Sequence, residues 1–346
     1  MPKYELGSQD YLAPGETLSL NDFKLIKLIG KGGFAKVYQS VRKMDHRIFA
    51  IKVMRKDQLR QTKQSAHIMN EKSILQSSRG ENFIVQLLGT FQDDIHLYMV
   101  QEFLSGGDLF GYIKLHGHLS EVHSKFYAAE ILLGLEFLHE KGIVYRDLKP
   151  ENILFDNHGH IKIADLGFAK QLNGGYTTTF CGTPSYLAPE VILRKPYNMM
   201  VDWWTFGVIC FQLCSGCSPF QESTPPKTFS RIIHANIRWP PEPQLYFSND
   251  VFDLIMRLFE INPKERLNGN LIKSHEWFQD IDFHDLNLRK ITPPHIVHTN
   301  VRRRSISLDP NAPTELRRAS TILPDHTELS AGEIPTRSTN NLFEGF

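Results

Sequence analysis

The sequence has few cysteines, almost no net charge and no long apolar run, and each shortage excludes a class of protein. It contains four cysteines in 346 residues, and 39 basic residues against 38 acidic ones give a formal net charge of +1. Such a balance provides no general attraction to nucleic acid or to a membrane surface, so any recognition of charge is local. The longest apolar stretch, residues 201–216, contains Asp202 and Gln212 and is shorter than the ~20 residues that span a bilayer. We expect it to form a buried helix.

The cysteines and the N-terminus indicate the compartment. Cys214 and Cys217 form a C-x-x-C pair, but a zinc site needs a second pair and a thioredoxin-like site needs a preceding β-strand. Neither pattern is present, so packing of these thiols in an apolar core is the favoured interpretation. The first 16 residues contain no apolar segment of the signal-peptide type. We therefore expect a reduced, cytoplasmic protein, with the nucleus as an open alternative.

The hydrophobic pattern divides the chain into parts that differ in periodicity and composition. Residues 1–22 form a polar N-terminal extension. Residues 23–100 contain five short, β-branched or alternating runs separated by turn residues, which predict a strand-rich lobe with one helix at 64–78. Residues 105–278 carry long amphipathic stretches and predict a mainly helical lobe. The remainder, 279–346, is rich in Pro, Ser, Thr and Arg and is typical of an extended tail.

A glycine-rich turn and a strand lysine lie in the first lobe. The turn joins two predicted strands, and glycine lets backbone N–H groups approach phosphates that a Cβ atom would keep away. Taken alone this signal is weak, because glycine-rich hairpins are common. Lys52 lies in the middle of an apolar strand and needs a partner there; Glu71 on the following helix is the natural one, and the pair can hold ATP phosphates. The turn comprises Ile29, Gly30, Lys31, Gly32, Gly33, Phe34, Ala35, Lys36 and Val37.

Residues 145–167 carry the groups that phosphoryl transfer needs. That reaction uses a carboxylate beside the attacking hydroxyl, oxygen ligands for Mg²⁺ and a cation for the transferred group. Asp147 suits the first role and Lys149 the third. Asn152, at the D-x-x-x-x-N spacing, and Asp165, directly after a predicted strand, suit the metal. One such carboxylate alone is more often a solvated turn residue, but this order of residues indicates a site.

These segments resemble the signature set of the eukaryotic protein kinases over about residues 23–278. The resemblance extends to "CGTPSYLAPE" and to "NPKERL", whose Arg266 has a family counterpart that pairs with the glutamate matching Glu190. The lysine in "DLKPEN" is similar to serine/threonine kinases. Tyr145 before Arg-Asp, together with "TFCGTPSYLAPE", resembles the AGC group, which includes protein kinases A, B and C.

The resemblance implies an α+β, bilobed kinase fold that uses ATP and Mg²⁺. Its N-lobe (23–100) is β-rich with one key helix, its C-lobe (105–278) is mainly helical, and an AGC-type tail (279–346) follows. The implied activity is transfer of the γ-phosphoryl group to serine, and less to threonine, in intracellular signalling. Because Lys52, Glu71, Asp147, Asn152 and Asp165 are all present, the alternative of a catalytically dead scaffold, or pseudokinase, is less favoured.

Three positions depart from the family pattern. Ala35 replaces the third glycine of the turn and should only stiffen it. Leu166 stands in the Asp-Phe-Gly motif, where it can fill an apolar site. Gln101 occupies the usually apolar gatekeeper position and should alter the back of the ATP pocket, while adenine bonds the backbone at Glu102 and Leu104.

The family counterpart of the substrate site predicts a basic sequence before the acceptor. Asp108 and Glu151 match acidic groups that receive arginines, whereas Gln212 replaces a third. We therefore expect Arg three residues before the acceptor and a weaker demand two before, since charge-assisted pairs are strong. Phe168 is similar to kinases that prefer serine. An apolar pocket for the residue after the acceptor is expected from Phe180, Pro184 and Leu187.

Phosphorylation sites are also implied by the resemblance. Thr179 lies where the AGC group carries its activating phosphate, and Arg146 and Lys170 are expected to bind that phosphate; a solvated threonine run is the plain alternative for Thr177 and Thr178. In the tail, Ser305 and Ser320 follow paired arginines and fit the expected substrate pattern, although a disordered stretch with solvated arginines explains them equally well.

The last residues resemble the AGC hydrophobic motif F-x-x-F. Phe343 and Phe346 are its two aromatic positions, and the resemblance implies that they pack on the N-lobe beside the helix of Glu71 and favour activity. Expected partners are protein substrates, an upstream activating kinase and a regulatory protein, with a monomer as the other possibility. We expect no nucleic acid and no membrane span.

Overall fold

The computed structural model describes residues 18–172, 175–294, 341–343 and 346. Most of the predicted N-terminal extension and both tail serines, Ser305 and Ser320, lie outside these residues. The chain folds into two compact units. Unit 1 runs up to Leu104 and includes the C-terminal residues, and unit 2 begins at Ser105.

Unit 1 is built on an antiparallel sheet in the order β1-β2-β3-β5-β4. Its strands are β1 (Phe23–Lys31), β2 (Ala35–Arg42), β3 (Ile48–Arg55), β4 (Leu87–Gln92) and β5 (His96–Glu102). Phe49 and Ile51 of β3 lie in a core cluster with no exposed surface. The apolar run at residues 84–91 predicts a strand from Ile84, but β4 begins at Leu87. Gln86 donates its backbone N–H to the Glu102 carboxylate rather than to a strand partner (2.8 Å).

Two helices accompany this sheet. Helix α1 (Lys56–Gln61) was not predicted, because six residues are too few to show a helical period. Helix α2 (Ser65–Ser77) falls within the predicted helical segment. It buries Ile68, Glu71 and Leu75, whose three- and four-residue spacing places them on one face.

Unit 2 is mainly helical and carries short strand pairs. Its helices are α3 (Leu109–His116), α4 (Glu121–Glu140), α5 (Pro189–Ile192), α6 (Met200–Ser215), α7 (Pro225–Ile233), α8 (Asn249–Leu258), α9 (Gly269–Lys273) and α10 (Phe283–Asn287). Its strands are β6 (Ile143–Val144), β7 (Ile153–Phe155), β8 (Ile161–Ile163) and β9 (Lys170–Gln171), which pair as β6-β9 and β7-β8.

Helix α6 is the core helix that its apolar composition predicts, with every residue from Val201 to Ser215 buried. It ends at Gly216, whose left-handed backbone (φ 73°) lets its N–H bond Gln212 at 2.8 Å. A Cβ atom at Gly216 would lie 1.8 Å from the carbonyl oxygen of Gly117, so only glycine fits there.

Among the helices of the described residues, none has the length and apolarity to span a membrane.

Two boundaries in unit 2 differ from expectation. The amphipathic pattern of residues 249–262 predicts a helix over that range, but α8 ends at Leu258. Helix α10 lies where the extended tail was expected to have begun. Asp282 caps α10 by accepting the N–H of Asp285 (3.0 Å), and Leu286 is fully buried; tertiary burial thus stabilises a helix too short to be recognised in the sequence.

Candidate active site

The glycine-rich turn connects β1 and β2 in unit 1. It is closed by a hydrogen bond from Gly32 N to Ala35 O (2.9 Å), and Gln58 of α1 donates to the carbonyl of Gly33 (2.9 Å). A Cβ atom added at Gly33 would meet nothing within 4 Å, and its φ is not in the left-handed region. Neither packing nor backbone strain therefore requires glycine at this position, and the space beside its Cα is open.

Lys52 and Glu71 form an ion pair in unit 1. Lys52 lies on β3 opposite Met99 of β5, and its Nζ is 2.6 Å from Oε1 of Glu71 on α2. The Glu71 side chain has no exposed surface, and that of Lys52 is 13% exposed. The structure thus brings together the two side chains that sequence reasoning paired.

The residues expected at the adenine end of the site lie on and after β5. Gln101 is buried, and its backbone pairs with Ala50 of β3 on one side and Leu87 of β4 on the other. Glu102 exchanges hydrogen bonds with Gln86 and does not act as a solvated surface residue. Leu104 is buried at the end of unit 1.

Asp147 is the centre of a polar cluster in unit 2. Lys149 Nζ and Asn152 Nδ2 both donate to its Oδ2, at 2.8 and 2.9 Å, and Thr183 Oγ1 donates to Oδ1 at 3.0 Å. Lys149 also reaches Thr183 Oγ1 at 3.2 Å. Burial raises the pKa of Asp147, and the positive charge of Lys149 opposes that shift only in part. Thr183 was not predicted as a site residue, although it lies in the segment "CGTP" that resembles the kinase family.

Asp202 holds the backbone that presents Asp147. Its two carboxylate oxygens accept the N–H groups of Tyr145 and Arg146, both at 2.8 Å, and His139 Nε2 lies 2.8 Å from Oδ2. Arg146 has a positive φ of 71°, a conformation that non-glycine residues adopt rarely. The fully buried Asp202 therefore stabilises a strained turn. The sequence showed Asp202 only as a charged residue within the longest apolar stretch.

Asp165 follows β8 in a left-handed conformation (φ 52°, ψ 77°) that places its carboxylate at the surface. Strain of this kind at a non-glycine residue is typical of functional sites. Leu166 has no exposed surface, so it fills the apolar site expected for it. Because Asn152 directs its Nδ2 towards Asp147, its Oδ1, on the other branch of the planar amide, points away from that carboxylate. An amide oxygen and a carboxylate are ligands that Mg²⁺ accepts.

The activation segment is anchored around Tyr197. The Tyr197 hydroxyl donates to the carbonyl of Thr179 (2.5 Å), and Arg146 Nη1 lies 3.3 Å from that hydroxyl. Lys170 Nζ reaches Thr177 Oγ1 at 2.9 Å, and this oxygen is 3.2 Å from Thr179 Oγ1. Lys170 and Arg146 are thus each linked to Thr179 through one intervening group, Thr177 Oγ1 and the Tyr197 hydroxyl respectively. Thr177 is buried, and its backbone pairs with that of Tyr197 in an isolated β-bridge. The expectation of a solvent-exposed threonine run is therefore wrong for Thr177 and agrees with the exposed Thr178.

The expected substrate residues of unit 2 occupy different environments. Asp108 caps α3 by accepting the N–H of Gly111 (2.7 Å), and Glu151 is exposed. Gln212 is buried and accepts a hydrogen bond from the Tyr186 hydroxyl (2.9 Å).

The expected apolar pocket is partly open to solvent. Phe180 and Pro184 are half-buried, and Leu187 is buried. Phe180 lies edge-on to Phe229 of α7, and the guanidinium of Arg194 lies 4.9 Å from the centre of its ring. Phe180 therefore presents a partly exposed apolar ring with a cation beside it, and the role of these residues in substrate binding stays a prediction.

A buried ion pair supports the end of this segment. Arg266 Nη1 and Nη2 bond the two carboxylate oxygens of Glu190 at 2.8 and 3.1 Å, and Nη1 also bonds Met200 O at 2.7 Å. The structure therefore contains the pair expected from the resemblance. Such a two-pronged contact fixes both orientation and distance.

The terminal aromatic residues pack within unit 1. Phe343 is 1% exposed, and its carbonyl accepts a hydrogen bond from Gln92 of β4 (3.0 Å). The guanidinium of Arg60 on α1 lies 5.4 Å from the Phe343 ring centre. Lys72, which follows Glu71 on α2, has its Nζ 4.9 Å from the Phe346 ring centre, and burial lowers the pKa of Lys72.

The cysteines of α6 are core residues. Cys210 and Cys214 are buried, and burial raises the pKa of both thiols, whereas Cys217 is exposed. Within the described part of the chain, no group of three or more His, Cys, Asp or Glu side chains is arranged to hold a metal ion. Cys214 packs as a small apolar group, as expected from the sequence, and Cys210 does the same. The expectation of core packing was wrong for Cys217, which follows the end of α6 and is exposed.

Comparison with known proteins identifies the class. A sequence profile described as the protein kinase domain matches residues 23–278, and the chain belongs to the protein kinase family. It is 41% identical over 283 residues to the cAMP-dependent protein kinase type 3 of Saccharomyces cerevisiae, a match that covers 80% of this chain and 69% of that protein.

Two further relatives define the group. The human cAMP-dependent protein kinase catalytic subunit PRKX is 41% identical over 281 residues, covering 80% of this chain and 77% of the relative. The catalytic subunit of Dictyostelium discoideum is 44% identical over 282 residues, 80% of this chain and 43% of that protein. Within its family the chain is a serine/threonine protein kinase of the AGC group.

Proposed function

We propose that the chain transfers the γ-phosphoryl group of ATP, with Mg²⁺, to serines that follow arginine in intracellular signalling proteins. The observation that carries this proposal is the cluster in which Lys149, Asn152 and Thr183 all bond the buried carboxylate of Asp147. A buried carboxylate with this arrangement of donors is a fixed acceptor for a hydroxyl proton. Protein kinases as a family use this chemistry.

Each residue of the chain has one task in this proposal. Lys52, held by Glu71, anchors ATP phosphates, and the backbone of the glycine-rich turn encloses them. Asp147 orients the serine hydroxyl and takes its proton, while Lys149 stabilises charge on the transferred group. Asn152 and Asp165 hold the metal. Mg²⁺ in a bound state neutralises charge on the phosphate oxygens.

The arginine preference follows from charge. Asp108 and Glu151 are the carboxylates proposed to receive arginine side chains, and Gln212, already bonded to Tyr186, is neutral. We therefore propose a strong preference for arginine three residues before the acceptor serine and a weaker preference for arginine two residues before it. Phe180, Pro184 and Leu187 receive an apolar residue after the acceptor.

Two regulatory features belong to the proposal. Phosphorylation of Thr179 adds negative charge beside Lys170 and Arg146 and orders the activation segment. Burial of Phe343 beside α2 stabilises the helix that carries Glu71, so the hydrophobic motif acts as a positive regulator.

We also assign a regulatory protein partner, because several relatives are named catalytic subunits. The proposed location is the cytoplasm.

A peptide assay tests the proposal. Wild-type chain with ATP and Mg²⁺ should phosphorylate a serine peptide with Arg three residues before the acceptor faster than peptides with Ala or Glu there. Asp147→Ala should remove transfer, and Lys227→Ala on the exposed part of α7 is the matched control. Transfer that persists in Asp147→Ala, or a preference for acidic or proline-directed peptides, contradicts the proposal. An inactive wild type that still binds ATP would support the pseudokinase alternative.

A further inference from the structure

A cavity of about 510 Å³ lies in unit 2, and none of the residues that line it has a role in the proposed phosphotransfer. Its walls come from the activation segment, the segment after α5 and the segment after α8. The volume is in the ordinary range of ligand sites, about 300–1,000 Å³.

The rim of this cavity is apolar and exposed. Tyr176, Leu193 and Ile261 all line it, with 63%, 42% and 43% of their surface exposed. The three come from separate parts of the chain and line the same cavity. Converging exposed apolar side chains mark interaction sites, whereas isolated ones do not.

The charge of the cavity is positive. Among the described residues, Glu190 is the one carboxylate that lines it, and the two-pronged bond from Arg266 neutralises its charge. Lys195 and Lys264 also line it and are exposed. Neither ammonium forms an ion pair with any residue in the part of the chain that the structure describes. A ligand that combines apolar groups with carboxylates therefore matches both features.

The cavity is connected to the activation segment through Tyr197. This residue lines the cavity, exchanges backbone hydrogen bonds with Thr177 at 2.8 and 2.9 Å and bonds the carbonyl of Thr179. A ligand that contacts Tyr176 and Tyr197 together would restrain the segment from both sides.

We propose that this cavity docks a short peptide segment of a partner protein, in which an aliphatic or aromatic side chain is flanked by carboxylates. The apolar side chain contacts Leu193 and Ile261, and the carboxylates pair with Lys195 and Lys264. Occupation stabilises the activation segment. Docking itself is independent of the proposed phosphotransfer, so the two ideas can fail separately.

Selection from a display library of random 12-residue peptides on the full chain tests the site. Enriched peptides should carry acidic residues around an apolar one. Their affinity should fall at least tenfold for Leu193→Asp and for the double variant Lys195→Glu/Lys264→Glu. The matched controls are Leu271→Asp, an exposed apolar site outside the cavity, and Lys227→Glu, which should bind normally. Thermal unfolding verifies that each variant is folded.

Two further measurements make the result specific. A selected peptide with its acids replaced by lysine should bind the Lys195→Glu/Lys264→Glu variant and not the wild type. Bound peptide should slow amide hydrogen exchange of residues 175–183 in the wild type. An unchanged exchange rate overturns the link to the activation segment.

Other outcomes overturn the site itself. These are an absence of enriched peptides and peptides that bind the cavity variants as well as the wild type. A concentration-dependent dimer that Leu193→Asp abolishes would assign the surface to a second copy of the chain. Binding of anilinonaphthalene sulfonate that depends on the same residues, without peptide binding, would assign it to small amphipathic anions.

Discussion

The side chain of Glu71 is a carboxylate without any exposed surface, and Lys52 holds it at 2.6 Å. Isolated charges of this kind are unstable in a protein interior, so each partner is tolerated because of the other. The contribution of the pair to folding stability can therefore be measured separately from its contribution to phosphotransfer.

Removing one partner of the ion pair should lower the free energy of unfolding more than removing both. Lys52→Met removes the cation that pairs with the fully buried Glu71 carboxylate and should lower the free energy of unfolding by about 3–5 kcal/mol, whereas Lys52→Met/Glu71→Met should recover most of that loss. Both variants should lose phosphotransfer. Urea unfolding and a peptide assay measure the two effects. The exposed Lys24→Met is the control, with an expected change below about 0.5 kcal/mol; a double variant less stable than the single one would contradict the argument.

The pH dependence of activity should report the raised pKa of Asp147. Proton acceptance needs the carboxylate, so kcat/KM should fall as the pH drops through this pKa, which lies above the ordinary value for aspartate. Lys149 lowers the pKa, so Lys149→Ala should move the acidic limb to higher pH, in addition to reducing kcat. Lys114→Ala on the exposed surface of α3 should leave the limb in place, and an unmoved limb in Lys149→Ala would refute this assignment.

The same shift has a consequence for stability. Because the pKa of Asp147 is higher in the folded state than in the unfolded state, the folded state binds the proton more tightly. The stabilisation that comes from protonated Asp147 is therefore fully present below the unfolded-state pKa, and it is lost as the pH rises through the folded-state pKa.

At the scale of elements, a short 3₁₀ turn at Asn341–Phe343 contacts β4 and both helices of unit 1. Phe343→Ala removes a side chain that is 1% exposed and should cost about 3–5 kcal/mol in the unfolding of unit 1. Leu342→Ala, in the same turn but 57% exposed, is the matched control and should have little effect. Denaturant unfolding followed by exchange of α2 amides measures the difference. Equal effects of the two variants would mean that the turn does not pack as described.

The loop that presents Asp147 depends on α6 through one carboxylate. Asp202→Ala leaves the N–H groups of Tyr145 and Arg146 without their acceptor, and each buried unsatisfied group costs about 1–3 kcal/mol. We expect faster amide exchange at residues 145–147 and a lower kcat. Asp202→Asn keeps one acceptor oxygen and should be intermediate. Wild-type exchange in Asp202→Ala would show that other contacts hold the loop.

At the scale of the whole molecule, each unit has its own core. Phe49 is fully buried in unit 1 and Leu213 is fully buried in unit 2. Phe49→Ala should cost about 3–5 kcal/mol and Leu213→Ala about 2–5 kcal/mol. Native-state hydrogen exchange should locate each loss of protection mainly in the unit that carries the substitution. A uniform loss across both units in either variant would show that the chain opens as one cooperative body.

The sequence by itself determined the class of the protein and the chemistry of its site. Lys52, Asp147, Asn152 and Asp165 were recognised because their types and local spacings are those that phosphoryl transfer needs. The strand-rich and helical parts also followed from hydrophobic period, since periodicity is a local property of the chain. Short elements such as α1 and α10 were missed for the same reason.

Only the tertiary structure decided which distant side chains complete the site. Thr183 bonds Asp147 across 36 residues, and Asp202 bonds the N–H of Tyr145 across 57. Thr177, which looked like part of a solvated run, is buried because its backbone pairs with Tyr197. Such contacts depend on how helices and loops pack against one another, and local spacing carries no information about distances between residues so far apart in the chain.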